Sequence, residues 1–526
     1  MASTASASSA FGHTRAGLTT KWPIAADLTG SGLPFRFEGE VADVIVYGEI
    51  PAAIDGTFYR ISLDRFAAKH QSIPIDGDGL VSAFRIQNGH VDFKIKYVGT
   101  ERYRLERRAR KSLFGLYKNP WSHHPCVQAA VDSTGSTNVI RWAKKLLVLE
   151  EAGNPHELDP DTLETLQYDP FVDQVKAKSF TAHPKVDPFT QELVVFGYEA
   201  KGLATKDIVT YALDKNGLKT EELWIEAPWA TITHDCAITK NWLVLMLWPY
   251  ETSLERMKAG GHHWAYTADR PACFLVVPRR KVPPTGWKDG EYRFYNWNHC
   301  MNIHTAGSWE DEGGLIHIEA TRVHGNVFPF FPPADGSSAQ GEAKADFVRW
   351  TIDPHQPSDT WLPDPKLILE LPSEFPRIDE RFMSEKYKIV FLNVFIPQKA
   401  DGSINVFQGL NGLAMINTET GEQEFYYPGD NCFAQEPTFI PRTPDSPEGD
   451  GWIMSLIEDR NTQTSHLVFL DTREFSQPIA LAVLPFRIKS QVHGNWVNAR
   501  DIGSSKSLVN EPDVWPLSHK GALQPL

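Results

Sequence analysis

"KVDPFTQELVVF", residues 185–196, contains the pattern that decides the fold. A short strand ends at Asp187, Pro188 follows in a turn, and an apolar strand begins a few residues later. An Asp carboxylate closes such a turn through hydrogen bonds to the backbone, and Pro fixes the bend. The pattern recurs at residues 156–166, 211–223, 349–362, 414–427 and 468–484. Repeated hairpins over so long a stretch predict an all-β protein and favour a β-propeller.

The chain of 526 residues is expected to form a single domain over residues 26–526. No linker or block of charge divides it, so residues 250–266, 283–310 and 324–345 are interpreted as inserted loops. Residues 1–25 are rich in Ser and Thr and lack the apolar core of a secretory signal, which predicts a disordered tail. A large β-sandwich or several β domains stay open as alternatives, because the WD and kelch signatures are absent.

Composition excludes several classes of partner. The formal net charge is −14 and no stripe of Lys and Arg is present, so nucleic-acid binding is not expected. The longest apolar run, "WLVLMLW" at 242–248, is far too short to cross a bilayer, so no stable membrane insertion is expected. Five cysteines without a CxxC pair indicate free thiols in a reducing compartment, which predicts a cytoplasmic protein. The oligomeric state stays open.

Four of the 18 histidines stand at the ends of apolar strands or beside turns: His183, His234, His304 and His493. Their separations of 51, 70 and 189 residues match no local metal motif. The inner strands of different propeller blades converge on the central axis, where widely spaced residues can meet. Imidazole suits Fe, Cu, Zn and Ni alike, so the residues alone permit an axial metal site without naming the metal. A structural role for each histidine is the alternative.

Several ordered blocks resemble the carotenoid cleavage oxygenase family. They are "IDGDGLVSAFRI" (75–86), "AHPKVDPFTQELVVFGY", "THDCAIT", "HTAGSWEDEG", "EFPRID", "QEPTFIPR", "DGWIMSLIED" and "VHGNW". The resemblance runs from about residue 30 to about residue 500. It implies a seven-bladed β-propeller with a dome of loops or helices over an axial iron site. It also implies an enzyme that cleaves C=C bonds with O2.

The resemblance implies that Fe²⁺ is the cofactor and that His183, His234, His304 and His493 are its ligands. It further implies that Glu151, Glu374 and Glu436 each orient one of these imidazoles. A carboxylate that accepts the outer N–H of a ligating His fixes its tautomer and ring angle. A zinc site with four protein ligands would be tetrahedral and closed, whereas octahedral iron with four nitrogens keeps two positions open.

Within that family the chain is similar to the branch that cleaves phenolic alkenes. Stilbene-cleaving members carry a Tyr at the position of Tyr117 in "LFGLYKNPW" and a Lys at the position of Glu150 in "LLVLEEAG". Tyr117 and Glu150 are therefore expected to be the catalytic residues that hold, and in the case of Glu150 deprotonate, the 4-hydroxyl of a substrate. Adjacent strand residues point to opposite faces, so Glu150 and Glu151 both reach the cavity only if the strand ends or bulges there.

The expected reaction is the cleavage by O2 of the exocyclic C=C bond of a 4-hydroxyphenyl alkene. The Lys-to-Glu difference at Glu150 favours small phenylpropanoids, namely isoeugenol, 4-vinylguaiacol and coniferyl-type alcohols, with vanillin as the aldehyde product. Cleavage of lignostilbene or resveratrol is the first alternative and cleavage of an apocarotenoid the second. A non-catalytic binding propeller is a distant alternative. Ile75, Phe328, Phe330 and Phe331 are expected to wall the substrate pocket.

Overall fold

The computed structural model describes residues 33–67, 73–151, 153–337, 344–397, 409–503 and 506–510. These residues form seven β-sheets and three short α-helices, so the prediction of a seven-bladed β-propeller is confirmed. The alternatives of a sandwich or of several β domains are wrong. The predicted disordered tail, residues 1–25, lies outside the described residues.

In chain order the strands are β1 (Gly39–Val41), β2 (Ile45–Gly48), β3 (Gly56–Asp64), β4 (Asp78–Gln87), β5 (His90–Tyr97), β6 (Asn138–Trp142), β7 (Lys145–Leu149), β8 (His156–Leu158), β9 (Thr165–Tyr168), β10 (Lys185–Val186), β11 (Leu193–Gly197), β12 (Asp207–Leu213), β13 (Lys219–Glu226), β14 (Thr231–Ile238), β15 (Trp242–Thr252), β16 (Trp264–Tyr266), β17 (Ala272–Pro278), β18 (Arg293–Trp297), β19 (Met301–Glu310), β20 (Ile316–His324), β21 (Lys344–Ile352), β22 (Thr360–Trp361), β23 (Lys366–Leu369), β24 (Ser373–Ile378), β25 (Ile389–Val394), β26 (Gly412–Asn417), β27 (Gln423–Tyr426), β28 (Cys432–Ala434), β29 (Thr438–Pro441), β30 (Gly451–Asp459), β31 (Thr464–Asp471), β32 (Pro478–Val483) and β33 (Gln491–Asn498).

Each sheet is one blade. In order of strand pairing the blades are β1-β5-β4-β3-β33, β6-β7-β8-β9, β10-β11-β12-β13, β14-β15-β17-β18-β22 with β16 on β15, β19-β20-β21-β23, β24-β25-β26-β27, and β2-β32-β31-β30-β28 with β29 on β30. The inner strands of neighbouring blades contact one another: β14 contacts β19, β19 contacts β24, β29 contacts β33, and β33 contacts β6. These contacts arrange the blades around one axis.

The two ends of the sequence close the ring at two different blades. Strand β33 pairs with β3 and supplies the inner strand of the first blade. Strand β2 pairs with β32 and supplies the outer strand of the last blade. Because each of these two blades contains strands from both ends of the sequence, unfolding of one end breaks hydrogen bonds in a sheet of the other.

The opening stretch of sequence forms the hairpin that its composition predicts. Asp187 follows β10, and its Oδ1 accepts hydrogen bonds from the backbone N–H groups of Phe189 (3.0 Å) and Thr190 (3.3 Å). The apolar run at 242–248 forms the first part of β15, where it is buried between β14 and β17. The described part of the protein has no helix long and apolar enough to span a membrane.

The dome consists of segments inserted between strands. Between β5 and β6 lie the helix α1 (Glu101–Ala109) and the 3₁₀ turns Pro120–Ser122 and Pro125–Val127; between β15 and β16 lies α2 (Leu254–Lys258). The side-chain amide of Asn119 joins the two insertions, because its Nδ2 donates to the carbonyl oxygens of Met257 (3.0 Å) and Gly261 (2.8 Å). A third helix, α3 (Ala499–Ile502), follows β33 directly.

Candidate metal centre and substrate cavity

The four histidines singled out from the sequence meet on the propeller axis. His183 precedes β10, while His234, His304 and His493 lie on the inner strands β14, β19 and β33. One ligand atom from each lies within 4.8 Å of those of the others, and the Nε2 atoms of His234 and His304 are 3.0 Å apart. Throughout the described ranges no other group of three or more His, Cys, Asp or Glu residues has a comparable arrangement.

Irregular strand pairing aims these side chains at the axis. The register between β14 and β15 shifts between Thr233 and Cys236, which brackets His234. The register between β19 and β20 shifts between Asn302 and Thr305, which brackets His304, and the pairing of β33 with β3 shifts next to His493. A β-bulge twists a strand locally and re-aims the side chain at its centre. Hydrogen-bond register, which single-sequence patterns do not reveal, thus completes the site.

Three of the imidazoles are held by the predicted glutamates. The Nδ1 atom of His234 contacts Oε1 of Glu151, and the Nδ1 atom of His304 lies 2.5 Å from Oε2 of Glu374. The Nδ1 atom of His493 lies 3.0 Å from Oε1 of Glu436. Because each carboxylate accepts the Nδ1 proton, each Nε2 carries the lone pair toward the centre of the cluster.

His183 is held differently. Its backbone N–H donates to Oγ1 of Thr181 at 2.9 Å, and no described carboxylate contacts its ring. Its Nε2 is buried and makes no hydrogen bond, while its ring centroid lies 4.5 Å from that of His493. An unpaired buried polar atom costs about 1–3 kcal/mol, a cost that a bound metal ion would remove. The residues therefore fit a metal ion held by four imidazoles.

The electrostatic surroundings keep most of the cluster ready for a metal. Burial lowers the pKa of His183, His234 and His493, so these imidazoles are neutral and able to bind a cation. For His304 burial also lowers the pKa, but the charge of Glu374 outweighs that effect and raises it. Burial raises the pKa of Glu436, yet the nearby charges of His493, Arg377 and Arg60 hold it well below its usual range.

An apolar cavity of about 460 Å³ lies against the cluster on the dome side. His234, His304 and His493 form one of its walls, and Trp248, Trp264, Ile232 and Ile303 form others. Of the four expected wall residues, Ile75, Phe328 and Phe331 line it. Phe330 does not, which corrects the expectation; its ring instead packs edge-on against Phe331 at 4.9 Å and against Phe328 at 5.5 Å. Alternate residues of this loop face opposite sides.

Tyr117 supplies a polar group to the cavity wall. Its hydroxyl makes no hydrogen bond to another described residue, so it is available to a ligand. Burial raises the pKa of Tyr117 well above its usual range, and the charges of Glu150, Asp76 and Asp132 raise it further. The group is therefore a neutral phenol that can both donate and accept one hydrogen bond.

Glu150 does not line this cavity, which differs from the expectation that it touches substrate. Strand β7 ends at Leu149, and the next two side chains diverge: Glu151 reaches His234, while Glu150 turns under the dome. The Oε2 atom of Glu150 accepts from the backbone N–H (2.6 Å) and Oγ1 (2.8 Å) of Thr134. The Nζ atom of Lys118 lies 3.4 Å away, and both charged groups are buried.

Glycine at position 153 allows this placement of Glu150. A Cβ atom added to Gly153 would lie 1.8 Å from Oε1 of Glu150, so any larger residue would displace the carboxylate. The Glu150–Lys118 pair in turn borders the cavity from behind, since Tyr117 precedes Lys118 and the segment after Thr134 contributes Ser136 and Thr137 to the lining. Sequence reasoning missed Lys118, although it stands beside Tyr117 in "LYKNP".

A substitution of Glu150 tests whether its role is structural. Glu150→Gln keeps an acceptor for Thr134 but leaves the Lys118 charge buried without a carboxylate, so the free energy of unfolding should fall by about 3 kcal/mol. The double variant Glu150→Gln/Lys118→Met should recover much of that loss, as measured by denaturant unfolding. Turnover of 4-hydroxy and 4-methoxy substrates should change by the same factor. A loss confined to 4-hydroxy substrates would show that Glu150 contacts the phenol.

A seven-bladed propeller with four axial imidazoles, three carboxylates behind them and an apolar cavity in front defines a metal-dependent oxidoreductase that acts on an apolar substrate. The family described as "RPE65: Retinal pigment epithelial membrane protein" matches residues 32–498. The chain belongs to this family, the carotenoid cleavage oxygenases, which confirms the resemblance seen in the sequence. It is an alkene-cleaving oxygenase with a four-histidine metal centre.

Among similar proteins, "Resveratrol cleavage oxygenase 1" of Botryotinia fuckeliana (strain B05.10) is 58% identical over 513 residues, covering 97% of this chain and 92% of that protein. "Isoeugenol monooxygenase" of Pseudomonas nitroreducens is 36% identical over 474 residues, covering 89% of this chain and 97% of that protein. The crystal structure of Pseudomonas brassicacearum lignostilbene dioxygenase superposes with a TM-score of 0.85 at 35% identity, covering 91% of this chain and 100% of that one.

Proposed function

We propose that this protein uses Fe²⁺ and O2 to cleave the C=C bond between the two rings of a 4-hydroxystilbene such as resveratrol. One oxygen atom would go to each alkene carbon, so the products are two aromatic aldehydes and the atoms balance. The observation that carries the proposal is an apolar cavity against the four-histidine cluster whose wall presents the free hydroxyl of Tyr117. A 58% identical relative is named for resveratrol cleavage.

Iron suits the ligand set better than the other metals that imidazole binds. The cluster offers four neutral or nearly neutral nitrogens and no carboxylate ligand, which leaves two positions of an octahedral ion open. When bound, Fe²⁺ would supply the redox-active centre that allows O2 to react with the alkene. The glutamates behind His234, His304 and His493 would offset the charge of the ion and keep the imidazoles oriented.

The residues of the protein would bind and orient the substrate. Tyr117 would share a hydrogen bond with the 4-hydroxyl, and the walls formed by Trp248, Phe328 and Phe331 would pack on the rings and exclude water. A carotenoid needs no such hydroxyl. An apolar polyene would leave Tyr117 without a hydrogen-bond partner in the cavity, which favours a phenolic substrate.

The size of the substrate is a separate question. The preference for isoeugenol and other small phenylpropanoids depended on contact between Glu150 and substrate, and Glu150 is bound instead to Thr134 and Lys118. A cavity of about 460 Å³ has room for a molecule with two rings. Isoeugenol-type alkenes remain the second candidate, because a 36% identical relative is named for isoeugenol.

A direct assay tests the proposal. The purified protein, loaded with Fe²⁺, is offered resveratrol, isoeugenol, 4-vinylguaiacol and an apocarotenal in air, and the products are identified by mass. The expected result is 4-hydroxybenzaldehyde and 3,5-dihydroxybenzaldehyde from resveratrol at the highest kcat/KM. Vanillin from isoeugenol with no cleavage of resveratrol would favour the second candidate. Cleavage of the apocarotenal alone would contradict a phenolic substrate.

Tyr117→Phe tests the hydroxyl contact. Removal of one hydrogen bond to substrate should lower kcat/KM for resveratrol by about 10-fold, the equivalent of about 1.4 kcal/mol. A stilbene with a methoxy group at the 4-position cannot donate to Tyr117, so its smaller kcat/KM should change less. The matched control is Tyr295→Phe, because Tyr295 is buried and its hydroxyl donates to the carbonyl of Gln356, away from either cavity. Equal losses for both substrates would remove Tyr117 from substrate recognition.

A further inference from the structure

A second cavity meets the metal centre from the other side. Its volume is about 850 Å³ and its walls are polar, with Arg141, Lys185, Asp235, Arg377 and Asn495 among them. It extends to Arg500 of α3, whose side chain is 70% exposed, so this cavity communicates with solvent. At about 30 Å³ per molecule it has room for many waters.

Only a thin layer separates the polar cavity from the apolar one. His183 lines the polar cavity and His234 lines the apolar cavity. Three of the described residues line both: His304, His493 and Phe375. Two of these are held by glutamates as candidate metal ligands, so Phe375 is the part of the layer that carries no metal-binding group.

The backbone brings the Phe375 ring to this place. The pairing of β24 with β25 shifts register between Glu374 and Arg377, and Phe375 has a φ of 53°. That left-handed conformation is rare for a bulky residue, and it is typical of functional sites. It also turns the Phe375 N–H back to Oε2 of Glu374 at 2.7 Å, the same atom that contacts His304.

The ring itself packs on both shared imidazoles. It stacks on His304 at a centroid distance of 5.2 Å and an interplanar angle of 27°. It meets His493 edge-on at 5.4 Å and 68°. The aromatic face therefore fills the gap between two candidate ligands at the level where the two cavities approach each other.

We propose that Phe375 is the partition between the substrate cavity and the polar cavity, and that its ring keeps solvent of the polar side away from the open positions of the metal. An apolar substrate cavity stays dry only if its contact with a solvent-filled space is closed. The proposal rests on metal binding by the four histidines and does not depend on which alkene is the substrate.

The test measures access to the metal rather than turnover. Wild type, Phe375→Gly and Phe375→Leu are loaded with Fe²⁺ under anaerobic conditions, and metal content and Tm are recorded first. EDTA is then added and the rate of metal removal is followed. Phe375→Gly accepts the positive φ but opens the partition, so we expect removal to be about 10-fold faster, while Phe375→Leu, which keeps most of the bulk, should stay within about twofold of wild type.

A second arm identifies the side from which EDTA arrives. Without O2, resveratrol cannot be cleaved and should slow metal removal from wild type by filling the apolar cavity, but it should no longer protect Phe375→Gly. Failure of resveratrol to protect wild type would count against the proposed substrate, while the ring-dependent rates would still test the partition.

Two results would overturn the proposal. One is an equal rate of metal removal from wild type and Phe375→Gly at equal metal content. The other is loss of bound metal from both Phe375→Gly and Phe375→Ala at unchanged Tm, which would show that the ring supports the imidazoles rather than separating two cavities. Phe375→Ala also serves for the rate measurement if the glycine variant is unstable.

Discussion

His304→Ala is expected to abolish metal binding and turnover. The imidazole of His304 supplies one of four clustered ligand atoms, 3.0 Å from that of His234, and no other described group of this kind can replace it. Its removal also leaves Glu374 without the Nδ1 partner that it contacts at 2.5 Å. Loss of an outer carboxylate alone typically costs about 10–100-fold in metal affinity, so loss of a ligand should exceed about 100-fold. Bound iron is measured after dialysis, and aldehyde formation is measured in parallel.

The matched control is His90→Ala. His90 is exposed and contacts Asp43 at the protein surface, far from the axis in the outer part of the first blade. This variant should retain the metal and the turnover of wild type. Full retention of iron by His304→Ala would contradict the ligand set, and unchanged Tm in both variants would show that the effect is not one of folding.

Glu436→Gln is expected to weaken metal binding and to destabilise the fold together. Glu436 is buried, accepts from Nδ1 of His493 at 3.0 Å and from the Gly494 N–H at 2.9 Å, and lies 3.3 Å from Arg377. The substitution keeps the shape but removes the charge, so metal affinity should fall by about 10–100-fold. The fully buried guanidinium of Arg60, 4.0 Å from Glu436, would lose its carboxylate, and the free energy of unfolding should fall by about 3 kcal/mol.

A second buried pair separates these two effects. Glu319 is fully buried and its Oε1 accepts from Nε of Arg349 at 2.9 Å, and neither residue lines the cavities beside the metal centre. Glu319→Gln should therefore lower the free energy of unfolding by a similar amount without changing metal affinity. Equal metal affinity in wild type and Glu436→Gln would show that the carboxylate supports the blade rather than the imidazole.

Much of the molecule could be predicted from the sequence. The turn chemistry around Asp187 is local, because a carboxylate bonds backbone groups two and three residues away, and it recurs in hairpin after hairpin. The four histidines and three glutamates lie in ordered blocks that resemble a family, and the structure brings all seven side chains together. Fold class and metal centre were within reach for that reason.

The substrate side of the site was less predictable. In "LLVLEEA" two adjacent carboxylates follow a buried strand, and the sequence does not say where each one points. The end of β7 at Leu149 sends Glu151 to His234 and Glu150 to Thr134 and Lys118. That divergence moved the expected substrate from small phenylpropanoids toward stilbenes.

The sequence by itself determined the elements, their closure into a propeller, and the identity of the metal-binding groups, because those follow from local turn bonds, apolar runs and ordered motifs. Only the tertiary structure decided which side chains face the cavity. Bulges at His234, His304, His493 and Phe375 set those directions, and a bulge depends on how one strand pairs with another. Hydrogen-bond register between strands distant in sequence is a property of the assembled sheet, so no single stretch of residues contains it.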